Sequence, residues 1–114
     1  MIEKSSLQQK NRIALIILDS TLEIAYKEYL VNEQNIGVAE FKNIADNRTL
    51  IQTEVLKTIT MPTATVKKIN FYYKLRCDLI HQRVTPAITD KQIEDYRKIV
   101  EEILDKMFGL QFNY

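Results

Sequence analysis

Two residues in the stretch Phe71–Thr85, FYYKLRCDLIHQRVT, have side chains suited to chemistry on a phosphate: Arg76 and, five positions on, His81. An imidazole titrates near pH ~6.5 and so takes or gives a proton at neutral pH. A guanidinium stays charged and presents a planar fork that matches phosphate oxygens. His81 is the only histidine in the chain. No other part of the sequence offers a rival site: there are no paired carboxylates in an apolar setting, no nucleophile–base motif and no phosphate-cradling glycine loop. At about 100° per residue, a helix through this stretch gathers Val66, Ile69, Tyr72, Tyr73, Leu75, Leu79 and Ile80 into one apolar stripe, with Arg76 in its middle. A cation in that position is costly unless an acid meets it.

The rest of the chain is read as the packing that holds this pair. With 114 residues, two glycines and two prolines, the sequence predicts a single all-α domain, 1–114, built as an antiparallel bundle of four to five helices. The start at Met1 fits a complete small protein and equally the terminal domain of a longer chain. The net charge is +1, so there is no overall basic field, but residues 63–85 alone carry +4. Cys77 is the lone cysteine, which excludes an intrachain disulfide and a Cys/His metal cage and fits a reducing cytosol. The longest apolar run, Ile13–Leu18, is too short for a bilayer, so neither a membrane partner nor a metal or cofactor is expected.

In chain order, Ser5 or Ser6 caps a first helix reaching about Asn32, with Leu15, Leu18, Leu22, Ala25 and Tyr29 facing the core. Ile13, Ile16, Ile17 and Ile24 widen that stripe and predict a helix covered on more than one side. Asp19, at the stripe's edge, and Glu23, one turn on, read either as a solvated edge or as the acid that neutralises Arg76. Gly37 is the turn residue of a polar connection over 32–38. A short helix over 39–45 and a firmer one over 47–59 follow, ending before Pro62. The third long helix spans about Thr63 to Arg83 and stops near Pro86. The last opens on a Thr89–Gln92 capping box and closes at Gly109, ahead of an apolar tail, LQFNY.

Arg76-Cys-Asp-Leu-Ile-His81, at the end of a bundle helix and followed by a Thr/Pro loop and an amphipathic helix, resembles the HEPN superfamily (higher eukaryotes and prokaryotes nucleotide-binding domains). That family carries an arginine, four to six residues, then a histidine on an antiparallel helical bundle. The likeness covers about 69–110. It implies a metal-independent endoribonuclease in which His81 shuttles the proton of a ribose 2′-hydroxyl as it attacks the adjacent phosphate. Arg76 would stabilise the charge on phosphorus, leaving a 2′,3′-cyclic phosphate and a 5′-hydroxyl. It also implies a homodimer with a composite site and, as partners, RNA and an antitoxin or fused domain, as in a toxin or phage-defence effector.

Residues five apart on a helix point about 140° from each other. Arg76 therefore takes the core side, while His81 joins Asn70 and Lys74 on a polar flank. The two converge if the helix frays or if two chains pool their motifs. In this reading Asn70, Lys74 and Asp78 line the groove, and Lys67, Lys68 and Arg83 contact the RNA backbone. Where the family often has Asn, Asp or His after the arginine, this chain has Cys77 and then Asp78. Two other readings stay open: a catalytically inactive HEPN-like dimerisation or nucleotide-binding module, and a helical adaptor in which Arg76 is a structural ion pair.

Overall fold

The long first helix, α1 (Lys4–Glu28), is already under way one residue ahead of the serines expected to cap it. The computed structural model describes residues 4–81 and 87–109, with side chains from residue 9 on, and among these residues all regular structure is helical. Helix α1 leads into a wide π turn, Tyr29–Glu33, in which the Gln34 N–H donates to the Tyr29 carbonyl at 2.9 Å. The left-handed residue of the following connection is Asn35 (φ +54°), not Gly37. Asparagine tolerates that region, its short side chain bonding locally. Gly37 is extended and precedes α2, Val38–Ile44.

Asn47 caps α3 (Arg48–Leu56), its side chain accepting from the Leu50 N–H at 3.1 Å. Helix α4 runs Thr63–His81 and α5 Asp90–Phe108. The Thr89–Gln92 capping box is formed, and Gly109 ends α5 in the left-handed conformation, as the sequence predicts. Thr89→Ala removes an acceptor for the Gln92 N–H and is expected to cost about 1 kcal/mol, read as a lowered midpoint in urea. Arg83, Pro86 and the LQFNY tail lie outside the described residues.

The contacts fix the helix directions. Asn11 of α1 meets Asp90, Asp19 meets Tyr96, and Tyr29 meets Phe108, so α1 and α5 run the same way. Tyr26 meets Gln52 and Tyr29 meets Thr58, so α3 shares that direction. Helix α4 opposes all three, with Gln52 on Asn70 and Arg48 on Tyr73. The expected alternation therefore holds from α3 through α5, while the short α2 between α1 and α3 leaves those two parallel.

Leu15, Leu22, Tyr26, Leu30, Ile51, Val55, Ile69, Tyr96 and Ile103 make the fully buried centre. Helices α3, α4 and α5 all pack on the α1 face that carries Asp19. The opposite face is left open: Ile13, Ile17 and Ile24 are each more than half exposed. This corrects the expectation of a first helix covered on more than one side, because every long helix available to cover it is drawn to the same face.

Candidate functional site

The centre of the site is a carboxylate. Asp19 is fully buried on α1, a position where a charge is costly unless it is paired. It stays paired because three other helices each bring a donor or a cation to it. Arg48, at the first position of α3, donates from Nη1 to Oδ2 at 3.0 Å and from Nη2 to Oδ1 at 2.9 Å. Tyr96 of α5 donates its hydroxyl to Oδ1 at 2.6 Å. Arg76 of α4 places Nε 2.7 Å from Oδ2. Of the two acids considered in the sequence, Asp19 is thus the one that neutralises Arg76; Glu23, half-buried, approaches Arg48 instead, 3.4 Å from Nη1.

The two arginines are held differently. Arg48 is buried and gives both terminal nitrogens to Asp19 in the bidentate geometry that makes such pairs strong, with Nη1 also reaching Glu23 at 3.4 Å. Arg76 only touches. Its Nε makes a close ion contact, but the N–H is not directed at the oxygen and finds no acceptor. Its terminal nitrogens donate no hydrogen bond among the described residues, and 18% of its side chain remains exposed. Tyr73 braces both, with its ring centroid 4.5 Å from the Arg48 guanidinium carbon and 5.2 Å from that of Arg76.

The environment fixes the protonation states. Burial disfavours a charged Arg48, yet the hydrogen bonds and charge of Asp19 more than reverse this and hold the guanidinium protonated above its ordinary range. Burial, then the charge and hydrogen bond of Asp19, raises Tyr96 well above the usual phenol value. Tyr26 is raised chiefly by burial, its hydroxyl donating to Gln52. A phenol whose folded pKa exceeds its unfolded value of about 10 favours the fold fully below that pH and progressively less above it. Stability in urea is therefore expected to fall as pH rises past about 10, with a shallower fall in Tyr96→Phe. Equal slopes in the two proteins would remove Tyr96 from this account.

His81 is the last described residue of α4 and is exposed. Lys67, Asn70, Lys74 and Asp78 share its flank of the helix by position: Lys67, Asn70 and Lys74 are exposed and Asp78 is half-buried. Asn70 accepts a hydrogen bond from Gln52 Nε2 at 3.1 Å, which ties it to α3. Lys68 lies apart from this flank, on the α5 side, with Nζ 3.4 Å from Asp95 Oδ1. Cys77 is half-buried beside Tyr73. Ile80, next to the histidine, is 43% exposed. Asn11 donates to the Ile88 carbonyl at 2.8 Å and to Asp90 at 2.9 Å, which fixes the start of α5 against α1.

Sequence reasoning singled out Asp19 and Arg76 but passed over Arg48 and Tyr96. The available signal was local: a basic residue directly after the Asn47 cap sits at the positive end of a helix, where acids are favoured. Among the described residues no group of three or more His, Cys, Asp and Glu side chains could hold a metal ion, and no helix is long and apolar enough to cross a membrane. Comparison of the chain with protein-family models, with curated proteins and with solved structures finds no match.

Proposed function

We propose that this chain is a HEPN-type endoribonuclease, acting as a homodimer in which Arg76 holds the scissile phosphate and His81 carries the proton. The observation that carries the reading is the contrast between the two arginines on Asp19. A purely structural arginine gives its fork to the carboxylate, and Arg48 does so. Arg76 is anchored only at Nε, and among the described residues its terminal N–H groups have no hydrogen-bond acceptor, with part of the side chain exposed. This suits a guanidinium held ready for an anion from outside the fold.

In the reaction the ribose 2′-oxygen attacks phosphorus, and the imidazole takes its proton. The bond from phosphorus to the 5′-oxygen breaks, and that oxygen leaves with a proton returned by an imidazolium. The products are a 2′,3′-cyclic phosphate and a 5′-hydroxyl. Lys67 and Lys74, on the His81 flank, supply positive charge along the strand's path, and Asp78 and Asn70 border it. Pooling of two motifs across a two-fold axis is supported by the different faces of Arg76 and His81 on α4 and by the uncovered Ile80 beside them.

The test is RNA incubated with the protein in EDTA, followed by analysis of the new ends. Cyclic-phosphate ends formed by the wild type, and lost in His81→Ala and Arg76→Ala, are the expected result. Intact RNA, with phosphate or nucleotide still binding at Arg76, would favour the second reading, an inactive nucleotide-binding module. Cys77 in place of the usual polar residue after the arginine supports that alternative.

A further inference from the structure

We propose that Arg48 is a positioning residue for Arg76: by occupying both oxygens of Asp19 it keeps the Arg76 fork from closing on that carboxylate and leaves it open for a phosphate. The proposal rests on the reading of Arg76 as a phosphate ligand. A lone buried aspartate facing an arginine on the next helix forms a two-pronged pair, fork on fork. A carboxylate has about four acceptor positions. Here Oδ1 serves Arg48 Nη2 and the Tyr96 hydroxyl, while Oδ2 serves Arg48 Nη1. What remains is one edge of Oδ2, and Arg76 reaches it with Nε alone, without a hydrogen bond.

Arg48 also breaks a local rule. It is a buried cation in the first turn of α3, beside the helix's positive end. Its own Nε is buried without an acceptor, so the arrangement is not the best available for Arg48 itself. Such local conflicts gather where function sets the geometry. The charge balance agrees: two guanidiniums share one buried carboxylate and a half-buried Glu23 that is 3.4 Å from Arg48. A phosphate arriving at Arg76 would add negative charge on the side where, among the described residues, its terminal nitrogens have no hydrogen-bond acceptor.

The experiment reads the arginine side-chain nitrogens by ¹⁵N NMR, with the Arg76 signals assigned through Arg76→Lys, alongside RNA cleavage. In the wild type, the terminal nitrogens of Arg48 are expected to rotate slowly and those of Arg76 fast, and only Arg76 should respond to added inorganic phosphate. In Arg48→Lys one ammonium cannot hold both oxygens. Arg76 then closes on Asp19, its rotation slows, its phosphate response disappears, and kcat falls by about 100-fold. Arg48→Gln should do the same without the charge.

Slow rotation of Arg76 already in the wild type overturns the proposal whether or not the variants fold. So does a folded Arg48→Lys whose Arg76 still rotates fast and still senses phosphate. A wild type that cleaves no RNA but shows the expected nitrogen pattern overturns the nuclease reading and leaves the positioning role standing.

Discussion

Asp19→Ala is expected to remove a large share of the protein's stability. The substitution leaves the buried Arg48 guanidinium with only the longer contact to Glu23, strips the Tyr96 hydroxyl of its acceptor and frees Arg76 from its anchor. Removing one partner of a buried pair costs about 3–5 kcal/mol, and a domain of this size has about 5–15 kcal/mol in total. The urea midpoint should drop by about a fifth or more, or the protein should fail to fold. Replacing the whole cluster by apolar residues, Asp19→Leu with Arg48→Met and Arg76→Met, is expected to recover much of the loss, because no uncompensated charge is then left inside. A shift below about 1 kcal/mol for Asp19→Ala would mean that water already reaches the carboxylate and that the cluster does not hold the helices together.

His81→Ala is expected to act in the opposite way, with a large effect on rate and almost none on stability. Its side chain is exposed at the end of α4, and substitutions at such positions usually stay within about 0.5 kcal/mol. Loss of a positioned proton carrier lowers rates by about 10²–10⁴-fold. Arg76 should lose activity to a similar degree, and Arg76→Lys should not restore it, since an ammonium has no planar fork for two phosphate oxygens. Cleavage that survives intact in His81→Ala would show that the imidazole is not the proton carrier and would leave the proposed reaction without its base.

The contrast between Asp19→Ala and His81→Ala follows from burial: Asp19 lies among the packed helices and His81 at the exposed end of α4, the helix that also carries Arg76. Arg76 faces inward and is part of the buried cluster as well as of the proposed site; His81 faces out and has a role only in the proposed reaction. The sequence predicted this split from helical spacing, but it left Asp19 and Glu23 open as a solvated edge or as the acid for Arg76, and only the packing selects Asp19. The sequence did not place Arg48, because in a linear reading that residue is one charge among three basic and three acidic residues between 35 and 62. Only the packing of the α3 N-terminus against Asp19 separates it from the others. Tyr96 shares the apolar spacing of Ile93, Val100, Ile103 and Met107 and so reads as a core residue of α5, but a stripe position does not reveal what its hydroxyl meets.

Local rules determined the elements. The start of α4 directly after Pro62, the Thr89 capping box and the left-handed Gly109 each follow from backbone preferences that act within a few residues, and apolar spacing sets the inner face of α5, whereas α3 ends at Leu56, short of the expected Ile59. Tertiary structure decided what local rules do not reach: that α3, α4 and α5 crowd one face of α1 and leave Ile13, Ile17 and Ile24 exposed, and that two arginines share one aspartate. The physical reason is that periodicity tells which side of a helix is buried but not which neighbour covers it. A buried charge takes its partner from whichever helix the packing brings within hydrogen-bonding distance.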